Sequence, residues 1–326
     1  MATTLTQIAI PDSALGHLRP FDVGRDLTAV ADLVEICFAD SLDPDGEQYL
    51  QQMRSAAHNP GFIRWASAAA EWTSVPLNGY VWEEEGRLVG NVSLIPYNVK
   101  GQHYFLIANV GVHPNYRRRG IARSLTAQAI EHARRRGAPA AWLHVRQENL
   151  GAISLYQSLG FVERARRTTW HSASGIPQIA IPQGCAIVPH PAAFWNTEQE
   201  WLKQAYPPEV TWHLPLNLMA IRPGLLGAIF RTLNAIYKWQ WAVRCGSELS
   251  GGLTWQSSRG YADTLWLAVM PGNDQAALAL LLHARQHLSP RRALTLDYPA
   301  GQSAKAIQAA GFYPHQTLIW MSASLH

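Results

Sequence analysis

The sequence is poor in charge, in cysteine and in long apolar runs. Only 15% of its 326 residues are charged and 48% are hydrophobic, which excludes a disordered chain and indicates globular domains. The cysteines Cys37, Cys185 and Cys245 are odd in number and form no CxxC. We therefore expect no disulfide framework and a reducing, cytoplasmic location. No apolar run approaches the roughly 18 residues that a membrane span needs, so no membrane partner is expected.

The charge balance argues against a nucleic-acid-binding protein, and the first residues argue against a secreted one. Lys and Arg number 27 against 23 Asp and Glu, a net charge of +4 that is too small to predict nucleic-acid binding. The opening MATTLTQIAIPDS has neither a basic segment nor a long apolar core, so no secretory signal is expected. A chain of this length has room for two domains, each with its own core.

The apolar periodicity predicts alternating helices and strands. Residues 26–38 have helical spacing, and Asp26 is expected to cap that helix. Residues 79–112 are β-rich and broken at EEEGR and NVKGQ, which predicts three antiparallel strands. A helix, a strand, a helix and a strand then follow through residue 171. This order predicts an α/β (α+β) fold with a mixed, mostly antiparallel sheet flanked by helices.

The chain contains an internal repeat. Residues 113–134 and 270–285 both follow an apolar strand that ends in valine, and both end in His-Ala-Arg. Gly160 and Gly311 each lie 28 residues beyond the histidine of that tripeptide, since 160 − 132 and 311 − 283 are equal. We infer two copies of one fold.

The predicted boundary between the copies lies near residues 183–190, which gives domains 1–183 and 184–326. The second copy is six residues shorter than the first between its valine and its histidine. We predict that all six are missing between its proline and its helix. A loop that the second copy can omit is not needed for the fold, so we expect it to serve a ligand in the first copy.

That loop holds four arginines around one glycine where a strand gives way to a helix: Arg117, Arg118, Arg119, Gly120 and Arg123. A helix N-terminus attracts anions through unpaired N–H groups, and glycine lets an anion approach the backbone. Arginine adds forked donors suited to phosphate oxygens. The segment therefore predicts a pyrophosphate or polyphosphate site. The alternative is a solvated basic loop.

Two motifs in this region resemble those of a known superfamily. Arg117-x-x-Gly120-x-Ala122 is similar to the (Q/R)xxGx(G/A) motif of the GCN5-related N-acetyltransferases, the GNAT superfamily. NLGAISLYQSLGF (149–161) resembles the segment that closes their cofactor site. The resemblance covers about residues 15–182. It implies acetyl-CoA as acyl-donor cosubstrate and acetyl transfer to a primary amine by direct attack in a ternary complex.

The resemblance also implies positions for the cofactor. Its pyrophosphate would be held by backbone amides of the segment that follows Arg117, namely Arg118, Arg119, Gly120, Ile121, Ala122 and Arg123. Its pantetheine would pair with the strand Val110, Gly111 and Val112 and contact Asn149. For Val110 and Val112 the alternative is core packing, and for Asn149 it is a helix N-cap.

Two residues are candidates for the chemistry. Tyr156 stands where the superfamily has a tyrosine that reaches the CoA sulfur, which implies a general acid; the alternative is a core tyrosine. WLHVRQEN resembles the WLEVRxSN segment of ribosomal-protein alanine acetyltransferases, and His144 replaces their glutamate base. An imidazole with a pKa near 6.5 suits that role, whereas a hydrogen-bonded sheet histidine is the alternative. His103 and His113 are also near the loop in sequence.

The second copy lacks these groups. Counting back from Gly311 places Ile307 at the position of the tyrosine, Ala300 at that of the asparagine and Thr295 at that of the histidine. We therefore expect a degenerate domain that is structural or shapes the acceptor pocket, with the two copies packed as an internal pseudo-dimer in a monomer. His283 and His287 are spaced for a metal but lack a third ligand nearby, so no metal is expected.

The sequence does not name the acceptor, which could be a small amine, an amino sugar, a peptide N-terminus or a lysine. The alternatives to an amine acetyltransferase are a mycothiol-synthase-like tandem acyltransferase and a non-catalytic CoA-binding or sensing module. The acidic run at residues 83–85 is interpreted as a solvated hairpin, or as a rim that attracts a cationic amine.

Overall fold

The structure is a computed structural model, and it divides the chain into two compact units. The described residues are 16–39, 44–69, 77–99, 101–211, 216–224, 232, 237–258, 261–288 and 292–325. Unit 1 holds the described parts of residues 1–144, 150–162 and 321–326, and unit 2 holds those of 145–149 and 163–320. The boundary between the two sequence repeats, predicted near residues 183–190, stays a prediction.

Unit 1 is a mixed sheet with helices, as predicted. Its elements are β1 (Gly16–Pro20), α1 (Val23–Phe38), α2 (Pro44–Ala57), α3 (Pro60–Ala69), β2 (Asn78–Glu84), β3 (Arg87–Val99), β4 (Gln102–Val112), α4 (Ile121–Arg135), β5 (Ala140–Arg146) and α5 (Leu150–Ser158). The sheet order is β1-β2-β3-β4-β5. The first four strands pair antiparallel, and β4 pairs parallel with β5. The three strands predicted in residues 79–112 are confirmed.

Helix α1 begins four residues earlier than predicted. Asp22, not Asp26, is its N-cap, because the Asp22 carboxylate accepts a hydrogen bond from the Arg25 amide at 3.0 Å. Asp26 lies in the first turn, where it is 2% exposed and accepts two bonds from the Arg19 guanidinium at 2.6 and 2.8 Å. The prediction was wrong because the buried face already begins at Val23, four residues before Leu27, and the three residues between them are not apolar.

The core of unit 1 forms where amphipathic helices meet the sheet. Helix α1 buries Val23, Leu27, Val30, Ala31 and Val34 in one cluster. Helix α4 buries the face predicted for it, namely Leu125, Ala129, Ile130 and Ala133. Gly90 on β3 allows this packing, because a Cβ there would lie 2.9 Å from Ile121 and 3.0 Å from Leu125. Helix α4 is therefore held closely over the strands that lead into the arginine segment.

Unit 2 has the same strand order as unit 1. Its elements are β6 (Val162–Ser172), β7 (Cys185–Pro189), α6 (Trp195–Ala205), α7 (Pro208–Thr211), α8 (Leu218–Ile221), β8 (Lys238–Cys245), β9 (Glu248–Gln256), β10 (Ala262–Val269), α9 (Asp274–Leu288), β11 (Ala293–Pro299), α10 (Ala304–Ala309) and β12 (Phe312–Ser324). The order is β7-β8-β9-β10-β11. Pairing is antiparallel up to β10 and parallel between β10 and β11, as in unit 1.

The shortening of the second copy is divided between a loop and a helix. Eight residues, 113–120, connect β4 to α4, whereas four, 270–273, connect β10 to α9. Only four of the six missing residues therefore belong to the connection. The other two shorten the helix ahead of its histidine, so the prediction that all six lie before the helix was wrong. The cause is that Ile121 and Ala122 are already helical in the first copy.

Two cysteines form a disulfide that the sequence analysis did not predict. Cys185 on β7 and Cys245 on β8 are bonded and are register partners in the antiparallel pair. A separation of 60 residues hides this juxtaposition in the sequence. The expectation of no disulfide was wrong for this pair, and the cysteines no longer argue for a reducing compartment. Among the described residues, no helix is both long and apolar enough to cross a membrane.

Candidate functional site

A β-bulge distorts β4 just before the arginine segment. The pairing of β3 with β4 shifts register between Asn91 and Ser93, and Asn109 adopts a positive φ of 51°. The Asn91 side-chain amide donates to the Asn109 carbonyl at 3.1 Å, and Asn91 is only 1% exposed. A bulge bends its strand and increases the local twist. The buried amide therefore fixes the point at which β4 changes direction.

Strands β4 and β5 pair over only a short length. Their parallel register runs from Phe105↔Ala141 to Ile107↔Leu143. Within the described residues, the register ends there, although β4 continues to Val112. The end of β4 therefore carries backbone N–H and C=O groups that β5 does not pair, and such groups need other partners.

The predicted pantetheine strand lies in this diverging segment. Val110 is half-buried, and Gly111 and Val112 are buried. Gly111 has a packing reason as well, because a Cβ there would come within 3.2 Å of the Cys37 sulfur on α1. Core packing, the alternative interpretation, thus explains why the Val112 side chain is buried and why residue 111 is a glycine. The backbone role stays a prediction.

The connection from β4 to α4 ends in a left-handed glycine. Gly120 is the N-cap of α4 with φ 81°, and nothing lies within 4 Å of where its Cβ would be. The Ser124 amide is the first to bond back, to the Gly120 carbonyl at 3.0 Å. The amides of residues 120–123 therefore have no acceptor inside the helix. Donors and open space coincide at the helix N-terminus, where the dipole favours an anion.

Three of the four arginines are held by described neighbours. Arg117 donates its Nε to the Val112 carbonyl at 3.1 Å. Arg119 pairs with Glu84 at 3.1 Å and lies over the Tyr116 ring, with 4.9 Å from its guanidinium carbon to the ring centroid.

Arg123 and Arg118 complete the set. The Arg123 guanidinium donates to the Ser158 hydroxyl of α5 at 2.7 Å, which links the start of α4 to the helix that carries Tyr156. Arg118 is exposed and has a positive φ of 63°. Of these four arginines, Arg119 has a described ion pair, with Glu84, and the excess of cations gives this end of unit 1 a positive potential suited to a polyanion.

Tyr156 lies on α5 and is 6% exposed. Its ring contacts Phe161 edge to face, with 6.0 Å between the ring centroids. Burial raises the pKa of the Tyr156 hydroxyl to about 12, so it stays protonated at neutral pH. No described residue accepts or donates a hydrogen bond at this hydroxyl. The core alternative explains the ring contact, but a buried hydroxyl without a described protein partner is a donor available to a ligand.

His144 and Asn149 have distinct surroundings. His144 is half-buried and is the first β5 residue beyond the last β4 pair, Ile107↔Leu143, where the two strands diverge. Asn149 directly precedes α5, and its backbone amide bonds to the Arg146 carbonyl at 3.0 Å. Asn149 belongs to unit 2 by its contacts, so its predicted cofactor contact stays a prediction.

The remaining candidates have contacts or positions that separate them from the proposed chemistry. His113 accepts a hydrogen bond from the Asn115 amide at 3.3 Å, and its ring meets Tyr116 edge to face. His103 lies at the opposite end of β4, about 30 Å from Val112 along an extended strand. Glu83 pairs with Arg19 and Arg25 at 2.7 and 2.6 Å. In the described part of the chain, no group of three or more His, Cys, Asp or Glu side chains could hold a metal.

Three residues that brace this region were not identified from the sequence. Asn91, Asn109 and Ser158 all act through contacts between distant segments. One signal was available, because Asn109 is the sole polar residue in the apolar run YFLIANVGV, and asparagine tolerates a positive φ better than other non-glycine residues.

Comparisons with known proteins agree with this geometry. A model described as the acetyltransferase (GNAT) family matches residues 37–161. A mycothiol acetyltransferase from Thermomonospora curvata is 32% identical over 49% of this chain and 48% of that protein. A ribosomal protein bS18-alanine N-acetyltransferase from Escherichia coli K12 is 41% identical over 22% of this chain and 49% of that protein. The chain spans about half the length of these curated relatives.

Solved structures share the fold over nearly the whole chain. A tandem GNAT protein from the clavulanic acid biosynthesis pathway superposes with a TM-score of 0.51 at 17% identity, covering 95% of this chain and 99% of that one. A GCN5-related N-acetyltransferase from Sphaerobacter thermophilus gives 0.59 at 15% identity, with 98% of each chain covered. The superpositions show that the chain has the fold of these GNAT proteins, and residues 37–161 are the part that matches the family model.

Proposed function

We propose that unit 1 transfers an acetyl group from acetyl-CoA to a primary amine in a ternary complex. The observation that carries the proposal is the divergence of β4 from β5 beside the N-terminus of α4. The end of β4 thereby offers backbone amides and carbonyls to a ligand. The adjoining N-terminus of α4 offers unpaired amides among four arginines. This combination suits a long ligand with an amide-containing arm and a pyrophosphate.

The residues present fit the cofactor. The amides of residues 120–123 and the positive φ of Gly120, with open space at its Cβ position, suit a pyrophosphate at the start of α4. The segment Val110–Val112 suits the peptide-like groups of pantetheine, because it lies beyond the last register pair with β5; its Val112 carbonyl already accepts a bond from Arg117. Arg117, Arg119 and Arg123 are already oriented by described neighbours, which lowers the entropy lost when an anion binds.

Tyr156 would act on the leaving group. The amine nitrogen attacks the thioester carbonyl carbon, a C–N bond forms, and the C–S bond breaks to release the CoA thiolate. The Tyr156 hydroxyl, which burial keeps protonated, would donate a hydrogen bond to the departing thiolate and so stabilise its developing charge. This is the role assigned to Tyr156.

His144 would act on the amine. A free alkylammonium has a pKa near 10.4 and cannot attack until it loses a proton. His144 lies where β5 leaves β4, and a neutral imidazole can take that proton directly or through a water molecule. Its position at the divergence favours this role over that of a sheet histidine.

The identity of the acceptor leads to a second candidate. The relative named mycothiol acetyltransferase is similar over about half of this chain, which supports a mycothiol-type acceptor as the runner-up. The relative named for ribosomal protein alanine supports a peptide amine. Unit 2 would be structural or shape the acceptor pocket, since Thr295, Ala300 and Ile307 carry none of the groups that the chemistry uses. The cytoplasmic location and the monomeric state stay predictions.

The test is CoA release from acetyl-CoA across a library of small amines, amino sugars, peptide N-termini and lysine peptides. Acetylation that needs both substrates bound, with intersecting double-reciprocal kinetics, supports the proposal. Tight CoA binding without turnover on any amine would favour a non-catalytic CoA-binding module instead. Absence of CoA binding would refute both.

A further inference from the structure

Unit 2 contains a cavity at the place that corresponds to the proposed cofactor site of unit 1. It measures about 330 Å³ and lies where β10 ends and α9 begins, beside α6 and the end of β11. The side chains used below that line it are Trp201, Gln204, Asp274, Tyr298, Gln302 and Ser303. A cavity of this size accommodates a small organic molecule.

Tyr298 supplies an unsatisfied polar group to this cavity. The residue is 3% exposed, and no described residue hydrogen-bonds to its hydroxyl. Its ring meets that of Tyr206 at right angles, with 6.3 Å between the centroids, so packing fixes the ring. Burial raises the pKa of Tyr298 to about 12, and the hydroxyl stays a donor at neutral pH. A hydroxyl without a protein partner on a largely buried side chain is satisfied by water or by a ligand.

The negative charge of the lining disfavours an anionic ligand. Asp274 is the one ionised side chain among the lining residues, and the arginines of unit 1 have no counterpart there. A carboxylate at the start of α9 stabilises that helix, but it also opposes the entry of a phosphate. Two opposite charges also act on the Tyr298 hydroxyl: the buried Arg167 lowers its pKa, and Asp274 raises it by less. Arg167 is already paired with Asp297, whereas Asp274 is the charge that lines the cavity.

Two aromatic residues and three neutral polar residues complete the surroundings. Trp201 on α6 and Tyr298 on β11 present aromatic surface, which attracts ammonium groups through the ring quadrupole. Gln204, Gln302 and Ser303 can donate or accept hydrogen bonds to a hydroxyl or carbonyl of the same ligand.

We propose that this cavity binds a small alkylammonium ion that carries a hydrogen-bonding group, with Asp274 as counter-ion and Tyr298 as hydrogen-bond partner. The site is separate from the acetyl-transfer site of unit 1. It does not depend on that activity, and it gives the second copy a ligand of opposite charge to the first.

Choline is the probe, since its quaternary nitrogen cannot be acetylated and its hydroxyl can reach a polar partner. Calorimetric titration of the full chain should show one saturable choline site. The neutral isostere 3,3-dimethylbutan-1-ol should bind at least about fivefold more weakly, and propionate should not compete. Asp274→Asn should weaken choline binding at least about fivefold, and Tyr298→Phe about threefold.

Glu200→Gln is the matched control, because it removes one exposed charge from α6 beside Trp201 without altering the lining. It should leave choline affinity within about twofold. Thermal melts check the fold of each variant. If Asp274→Asn does not fold, the proposal is tested by the choline affinity of Tyr298→Phe and by the affinity of the unaltered protein for the neutral isostere. Absence of saturable binding up to about 10 mM choline, equal affinity for the isostere, or equal affinity in the folded variants would overturn the proposal.

Discussion

The Asn91 side chain and the Asn109 backbone carbonyl are joined by a 3.1 Å hydrogen bond that holds the bulge of β4. The two residues lie on neighbouring strands, and Asn91 is buried. Two residues before Asn109, β4 makes its last pair with β5. The opening between the two strands, and with it the proposed place of the pantetheine arm, therefore depends on one buried amide.

The first prediction concerns this amide. Asn91→Ala leaves the Asn109 carbonyl without its donor, which should destabilise unit 1 by about 1–3 kcal/mol and lower acetyl-CoA affinity about tenfold. Asn98→Ala is the control, because the bond described for the Asn98 side chain is one that it accepts from the exposed Gly101 amide in the β3–β4 turn. Denaturant unfolding and calorimetry measure the two effects. Unchanged affinity in folded Asn91→Ala would separate the bulge from cofactor binding.

Tyr156→Phe tests the leaving-group acid. Removing the hydroxyl should lower kcat at least about tenfold and leave the Kd for acetyl-CoA nearly unchanged, because only the proton donated to the thiolate is lost. Tyr104→Phe, on the exposed start of β4 where the hydroxyl bonds to Gln102, should leave kcat intact. If pre-steady-state kinetics show chemistry to be rate-limiting and kcat is still unchanged, Tyr156 is only a core residue.

A pH profile tests the base. With His144 as the base, kcat/KM should rise through an apparent pKa between about 6 and 7.5, since only the neutral imidazole accepts the proton of the amine. His144→Ala should remove that limb, while His103→Ala, at the far end of β4, should retain it. The same limb in both variants would show that His144 is a structural residue.

Acid stability should depend on Asp26. Burial alone would raise the pKa of Asp26, but its hydrogen bonds to Arg19 and to the Asp22 amide lower it below its usual value. A depressed carboxyl pKa contributes stability that is present above the unfolded-state pKa, near 3.9, and is lost as the pH falls through the folded-state value.

Asp26→Asn should therefore destabilise the fold by about 3 kcal/mol at neutral pH, because it leaves the partly buried Arg19 with Glu83 as its remaining ion-pair partner. The loss should shrink as the pH falls below about 4. Asp32→Asn, in an exposed pair with Arg54, should cost less than about 1 kcal/mol. Urea unfolding at pH 7 and pH 3 measures this. A destabilisation by Asp26→Asn that is equal at both pH values would contradict the assignment.

Local signals in the sequence were enough for the strands, the helices and the repeat, because apolar periodicity and glycine positions report on nearby residues. Gly120 and the arginines were identified in the same way. Contacts between distant segments could not be predicted from local signals. Examples are the Asn91–Asn109 hydrogen bond, the Arg123–Ser158 hydrogen bond and the Cys185–Cys245 disulfide. The start of α1 was misplaced because Val23, the first residue of its buried face, is separated from Leu27 by residues that are not apolar.

The most direct test of the account is the stoichiometry of CoA binding by calorimetric titration, with two glycine variants. Gly120 and Gly272 occupy corresponding connections, both have positive φ, and nothing lies within 4 Å of either Cβ position. Glutamate imposes the same backbone strain at both positions but sets a carboxylate against the pyrophosphate only at the first. The account predicts one CoA site per chain, abolished by Gly120→Glu and retained in Gly272→Glu. A second CoA equivalent, or a site that survives Gly120→Glu, would contradict it.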